Sequence, residues 1–454
     1  MATTNSSDNE VIVAIVPFPD YSHVNQLFIL ARFIASRNIP VHFLSLADQN
    51  QDLKLQVQGC LGASNIHFED LMRPSPTEKD DAGCDPILMF LKKLREPIHK
   101  TCAQLSTKAK RLILIHEFLM TEQIWNVHTF PNVKSYIFHA GSAFNRYYYL
   151  QQSIPDIVDD DHEKLVEQMH DEFQLLEPCV KLMVRVEHEL TFHSGEIINS
   201  CKEVEGKYIN LLANAKDKPL WAFGPFRMLL ESHESNSSLS SNMIRNECLE
   251  FLDKQDVNSV IFISFGSTTT LSQEQMNELA LGLEQSNHRF IWVLRKGEVM
   301  GNLTDKVGKI ELPEGFEERV VGKGMVVNWA PQLEILRHSS TGGFLSHCGW
   351  NSCIESISMG VPLATWPVSY DQPSNAIYIT NVLKIGISVR SWAHREELVT
   401  ATTIEKAVKT LMGTTEGEEM RQWAVELSKK IKSAVSHGGP ALMEMESFIS
   451  NIIK

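Results

Sequence analysis

The segment "GGFLSHCGWNSCIESISMGVPLATW", residues 342–366, decides how the chain is read. It begins with an apolar run, Gly342–Leu345, then turns to a helix-like pattern, and it closes on a second apolar run, Leu363–Trp366. Strand, helix, strand at this spacing is the repeating unit of a parallel sheet. At the first junction His347, Gly349, Trp350, Asn351, Ser352 and Glu355 crowd together. Ser352 and Glu355 have the spacing of a capping box, in which two side chains satisfy orphan backbone donors at a helix start. Capping accounts for neither His347 nor Trp350.

The same alternation runs outward from this segment. Val260–Ser264, Phe290–Leu294 and Met325–Val327 read as strands, and Gln273–Leu283 as a helix. Earlier in the chain, strands are expected at Val11–Val16, Val41–Leu44, Leu112–Ile115 and Tyr136–Phe138, with a helix over Val24–Ser36. Between about 155 and 200 the pattern is weak and acidic and defines no topology. A Ser/Asn-rich stretch, "ESHESNSSLSSN" at 231–242, reads as a linker. Two β/α runs with a linker between them predict an α/β protein of two doubly wound domains, 1–240 and 241 onward. In such sheets ligands bind beyond the carboxyl ends of strands, so the turns that follow strands carry the functional information.

Bulk properties narrow the function. A chain of 454 residues has room for two or three buried cores. Its net charge of −14 argues against nucleic acid and against an anionic membrane surface as partners. An anionic substrate would have to be held locally, by helix N-termini or a few cationic groups. The eight cysteines form no CxxC pair and no zinc-spaced Cys/His cluster, which suggests reduced thiols in a cytoplasmic protein. The start, MATTNSSDNE, lacks the features of a secretory signal, and no apolar run reaches bilayer length. The sequons at Asn5, Asn236 and Asn302 are then chance matches.

Three turns carry candidate chemistry. After the first strand, "PFPDYSHVNQL" places His23 at a helix start, where the dipole disfavours imidazolium and keeps a basic imidazole. No G-x-G-x-x-G follows that strand, which weighs against a nicotinamide-dependent oxidoreductase. After the strand at 260, "SFGSTTTLS" offers Gly266 and Ser267, small residues whose backbone a phosphate can approach. The third turn is the opening segment itself.

Extended to Trp329–Gln372, that segment resembles the signature box of plant family 1 UDP-sugar-dependent glycosyltransferases. The opening Trp-Ala-Pro-Gln, the His-Cys-Gly-Trp-Asn-Ser core, Glu355 and the closing Asp371-Gln372 all match, without a gap. Further similar stretches are "FGPF" (223–226), "SVIFISFGS" (259–267), "FIWVLR" (290–295) and "LPEGFEERV" (312–320). The amino-terminal half, through "HVNQLFILARFIASRNIPVHFLSLADQNQ" (23–51) and "RLILIHEFLM" (111–120), looks most like the zeatin O-glycosyltransferase branch.

The resemblance implies a GT-B fold: two Rossmann-like domains facing across a cleft. Residues 241–435 would hold the UDP-sugar, and 436–454 would be a helix packed back on the first domain. Trp329 would stack on uracil, with Gln332 beside the base or ribose. Glu355 would accept from ribose hydroxyls. His347, Gly349, Asn351, Ser352 and the turn at Ser267 would meet the diphosphate. Trp350, Asp371 and Gln372 would face the sugar. His23 would deprotonate the acceptor hydroxyl in an inverting transfer that needs no metal and no cofactor. The D-x-D run Asp159–Asp161 is then a solvated loop.

One departure stands out. Where the family has an Asp that orients the catalytic His, this chain has His116-Glu117-Phe118. Neighbours in a strand point to opposite faces, so only one of His116 and Glu117 can reach His23, with Glu117 favoured, His116 its rival, and no orienting residue at all as the other alternative. The expected enzyme is a monomer that transfers glucose from UDP-glucose to a small apolar plant metabolite, such as a cytokinin. UDP-xylose as donor, transfer to carbon, and a silent UDP-sugar-binding protein remain alternatives. "DPILMFLKKL" (85–94) and "GSAFNRYYYL" (141–150) either line an acceptor pocket or pack as helices on the sheet.

Overall fold

The structure, a computed structural model, describes residues 9–57, 62–74, 86–153, 191–215, 217–234, 246–266, 269, 271–294 and 311–454. Ser267, the acidic run Asp159–Asp161 and most of the Ser/Asn-rich stretch lie outside them. The described residues divide into two compact units, one formed by 9–234 with 435–454, the other by 246–434.

The first unit is built on a seven-stranded parallel sheet. Its strands are β1 (Asn9–Val16), β2 (Val41–Leu46), β3 (Ile66–Leu71), β4 (Ala109–Glu117), β5 (Val133–His139), β6 (Glu196–Ile198) and β7 (Leu220–Ala222). They lie in the order β3-β2-β1-β4-β5-β6-β7, and every pairing is parallel. Helices α1 (Tyr21–Ala35), α2 (Ala47–Gln56), α3 (Pro86–Ser106), α4 (Ala143–Ser153), α5 (Lys202–Asn214) and α6 (Phe226–Glu234) link or flank the strands. Val11–Val16 is apolar without alternation because helices cover both faces of the sheet, and all six residues are buried. The stretch 85–94 falls largely within α3, whose Leu91, Leu94 and Ile98 join Ile12, Ala14, Leu112 and Leu114 in one core. On α4, the rings of Phe144 and Tyr147 pack on Tyr208 of α5 at 4.9 and 5.4 Å. Both stretches that could have lined a pocket thus contribute packing.

The second unit has six parallel strands: β8 (Val260–Ser264), β9 (Arg289–Val293), β10 (Gly324–Val327), β11 (Thr341–Ser346), β12 (Leu363–Thr365) and β13 (Gly386–Ser388). Their order is β10-β9-β8-β11-β12-β13. The helices here are α7 (Glu247–Leu252), α8 (Gln273–Ser286), α9 (Phe316–Arg319), α10 (Gln332–Arg337), α11 (Trp350–Met359), α12 (Gln372–Ile377), α13 (Ala401–Gly413) and α14 (Thr415–Val435). Each sheet has the doubly wound strand order, with its reversal between β1 and β4 or between β8 and β11. No helix among the described residues is long and apolar enough to cross a membrane.

The chain ends on α15 (Pro440–Ile453), which belongs to the first unit. Phe448 is fully buried there, its ring 5.3 to 5.6 Å from those of Tyr136, Trp221 and Phe223. Asn451 donates to the Tyr136 hydroxyl at 2.9 Å, and Arg111 donates to the Lys454 carbonyl. Phe448→Ala should therefore destabilise the first unit by about 3–5 kcal/mol, the usual cost of emptying a buried aromatic site. Denaturant unfolding followed by circular dichroism measures the loss.

Candidate active site

In the first unit the turn after β1 begins α1, with Asp20 as N-cap accepting from the Ser22 N–H at 2.8 Å. His23 is the third residue of that helix, partly exposed, with its ring 5.1 Å from Phe18. Across the strand-order reversal, β4 pairs with β1 up to Val16 opposite His116, and Glu117 ends the strand. This register brings the two turns together. The Glu117 Oε1 lies 3.5 Å from His23 Nδ1, while Oε2 accepts from the Leu119 N–H at 2.5 Å. One carboxylate oxygen is thus anchored to the backbone and the other is presented to the imidazole.

His116 has a different place. It is fully buried, its Nδ1–H donates to the Glu117 carbonyl at 3.1 Å, and its ring stacks 6.5 Å from Phe192. Burial pushes its pKa down to about 3, so it is neutral at ordinary pH. The alternation along β4 separates the two side chains.

In the second unit the turn after β11 is tight. Cys348 has a φ of +67°, and its N–H is received by the Ser346 hydroxyl at 3.1 Å. Gly349 is the N-cap of α11, and as a glycine it gives the first turn no side-chain oxygen. The capping-box reading of Ser352 and Glu355 is corrected here. The sharp Cys348–Gly349 turn starts the helix at Trp350, so Ser352 already lies inside its first turn. Both side chains are instead joined by Gln332 of α10, whose Nε2 donates to Ser352 Oγ at 3.1 Å and to Glu355 Oε2 at 2.8 Å.

His347 sits against that helix start. A Cβ on Gly266 would lie 2.6 Å from its Nε2, and one on Gly349 would lie 2.7 Å away. A side chain at either place would displace the ring, and Gly266 also has a φ of +78°. The buried Nδ1 edge faces the Ser264 backbone, and burial lowers the pKa to about 4. Trp350 is buried, whereas Trp329 is 63% exposed. Asp371 is the N-cap of α12, and its Oδ2 accepts from Asn375 Nδ2 at 2.9 Å. That same amide donates to the Cys348 carbonyl at 3.0 Å and so ties the β12–α12 turn to the β11–α11 turn. Asn375 was not anticipated from the sequence, because its importance rests on a partner 27 residues away. The buried Gln372 accepts through Oε1 from the Val368 and Ser369 N–H groups at 2.8 and 2.9 Å, and its Nε2 donates to Ser369 Oγ at 3.4 Å, so both ends of the amide are tied to that turn. Among the described residues no group of three or more His, Cys, Asp or Glu could hold a metal ion.

Two doubly wound parallel sheets, each with polar side chains gathered at its reversal point, define the GT-B class. Solved structures agree. A ugt transferase from Siraitia grosvenorii in complex with UDP is 27% identical, with a TM-score of 0.78 over 98% of this chain and all of the other. Phytolacca americana UGT2, complexed with UDP-2fluoro-glucose and pterostilbene, is 26% identical, with a TM-score of 0.79 over 98% and 99%. Residues 9–228 match the glycosyltransferase N-terminal domain family, and residues 223–430 match the family described as UDP-glucoronosyl and UDP-glucosyl transferase. The chain belongs to the UDP-glycosyltransferases and is a sugar-transferring enzyme. It is 43% identical to a zeatin O-glucosyltransferase of Phaseolus lunatus and 41% identical to a zeatin O-xylosyltransferase of Phaseolus vulgaris, covering 98% of this chain in both and 98% and 99% of those relatives.

Gly349→Ala should push the His347 ring aside and weaken UDP binding about tenfold to a hundredfold, the worth of one or two hydrogen bonds to a charged group. Calorimetric titration with UDP reads the change. The buried neutral histidines also predict a pH dependence. An unfolded His protonates near pH 6.5, whereas His116 and His347 resist protonation down to about 3 and about 4. The unfolded state therefore gains protons first, and stability is full above about pH 6.5 and falls as the pH drops toward those values. His116→Leu should flatten that decline in a series of Tm measurements from pH 7 to pH 4.

Proposed function

We propose that this enzyme transfers glucose from UDP-glucose, with inversion, to a hydroxyl of a small apolar plant metabolite of the cytokinin kind, with His23 as general base. The observation that carries the reading is the His23–Glu117 contact at the reversal point of the first sheet. From 3.5 Å, Glu117 would accept the Nδ1–H of His23 once the contact tightens on substrate binding, which would fix the tautomer and leave the Nε2 edge to take the acceptor's proton. The acceptor oxygen then attacks the anomeric carbon as the bond from that carbon to the UDP oxygen breaks. The departing diphosphate carries the negative charge, which the α11 N-terminus and the adjacent His347 would stabilise. The stabilisation is local, as a protein of net charge −14 requires. Trp329 would stack on uracil. The Gln332–Ser352–Glu355 cluster, with Ser267 and Asn351, would serve ribose and diphosphate, and Trp350, Asp371 and Gln372 the sugar. None of these steps calls for a metal or a resident cofactor.

The acceptor class is supported by the zeatin transferases at 43% and 41% identity over nearly the whole chain. The second of these, an O-xylosyltransferase, supports UDP-xylose as the alternative donor. Gln372 bears on the choice. With its carbonyl held by two backbone N–H groups and one amide N–H on Ser369 Oγ, it would offer the sugar its second N–H, a donor and not an acceptor.

His23→Ala should reduce turnover by at least about a hundredfold, the scale of general-base catalysis, with UDP affinity unchanged. Retained turnover removes His23 from the mechanism. Glu117→Gln should lower kcat far more than His116→Asn at equal folded fraction. Product masses from parallel reactions of cytokinins, flavonoids and terpenoids with UDP-glucose or UDP-xylose identify donor and acceptor together.

A further inference from the structure

The position of His23 depends on how the start of α1 is held, and the apolar face of that helix supplies contacts without direction. Val24, Leu27, Phe28, Leu30 and Ala31 are buried against the sheet, but hydrophobic contact is non-directional and lets a helix slide or roll by fractions of an ångström. Gln26 is different. It lies one turn beyond His23 and is only 5% exposed. Its side-chain amide is used at both ends. The Nε2 donates to the Ala140 carbonyl, the residue that follows β5, at 3.3 Å and to the Ser22 carbonyl at 3.4 Å. The Oε1 accepts from Asn199 Nδ2, in the residue that follows β6, at 2.8 Å.

Asn199 is itself fixed. Its Oδ1 accepts from the Phe226 N–H at the start of α6 at 2.9 Å. A Cβ on Gly224 would come within 2.7 Å of that oxygen, so the chain at Gly224 closes tightly over it. These bonds complete a circuit. Glu117 at the end of β4 is paired with Phe138 of β5, and Ala140 lies two residues further on. Ala140 receives Gln26, and Gln26 shares a helix with His23, which faces Glu117. The carboxylate and the imidazole are thus indexed to one another through the frame of the sheet.

We infer that Gln26, held by Asn199 and Ala140, is a positioning residue that sets the alignment of His23 with Glu117. This rests on the reading of His23 as general base. It concerns a buried residue whose amide bonds run to Ser22, Ala140 and Asn199 and which acts through α1.

The test uses Gln26→Met, which keeps the length of the side chain and removes the amide. Rates are measured with the best-turned-over acceptor of the wild-type enzyme and are normalised to folded protein. The expected result is a fall in kcat of about ten- to a hundredfold, the cost of a small misplacement of a reacting group, with KM for UDP-glucose changed by less than about twofold. In a Glu117→Gln background the same substitution should cost less than about threefold, because the contact it aligns has gone. Asn199→Asp keeps the acceptor for the Phe226 N–H but loses the donor to Gln26. It should reproduce the kcat effect more mildly should Gln26→Met fold poorly. An unchanged kcat per folded molecule, or equal losses with and without Glu117, overturns the inference. Turnover surviving in His23→Ala would instead overturn the general-base reading, so the two failures are distinguishable.

Discussion

In a parallel sheet each connection must cross one face or the other, and where the winding reverses two neighbouring strands send their chains to opposite sides. The carboxyl ends of that pair are left uncovered, which makes a crevice no crossover fills. Both units of this enzyme are governed by that constraint. In the first, β1 and β4 flank the reversal, and the turns beyond them carry His23 and Glu117. In the second, β8 and β11 flank it, and the turns beyond them bring Gly266 against His347. Residues far apart in sequence meet because their strands are neighbours.

The two crevices are furnished differently, and the difference follows from charge. The first holds an imidazole and a carboxylate 3.5 Å apart, an arrangement that suits the proposed proton removal. The second holds a helix start without a side-chain cap, a neutral His347 and glycines that admit close approach. That arrangement suits an anion, since the helix dipole and backbone donors act at short range inside an otherwise acidic protein.

Long apolar strands were legible in the sequence. Val260–Ser264 is β8 to the residue, and the first βα unit was placed within a few positions. The strands that escaped were β3, β6, β7 and β13. Three of these have three residues each, too few for any period, and β3 (IHFEDL) is a polar, half-exposed edge strand. The donor residues were readable as a contiguous box, but how they bond to one another was not. The local spacing of Ser352 and Glu355 suggested a cap, whereas the tertiary partner Gln332 and the turn at Cys348–Gly349 decide their role. Similarly, His116 and Glu117 could be ranked only provisionally until the register of β4 was known. Gln26 and Asn199 gave no signal, because a buried amide declares itself only through what it touches.

Two buried glutamates of the first unit show why bonding pattern and not residue type sets function. Glu205 uses both oxygens on the start of α4, accepting from the Ala143 and Phe144 N–H groups at 2.9 and 2.8 Å. Burial nevertheless pushes its pKa up to about 7, so the desolvation cost outweighs the stabilisation of the carboxylate by Ser200 and the two backbone N–H groups. Glu205 is a structural clamp, with one oxygen on each of two backbone N–H groups at the start of α4. Glu117 is nearly as buried, yet it gives only one oxygen to the backbone, at Leu119, and turns the other to His23. The longer side chain of glutamate permits that division at a strand end, with one oxygen closing the turn and the other reaching the helix. The turn that follows β4 thus uses the Glu117 carboxylate as its own cap while leaving it near the imidazole.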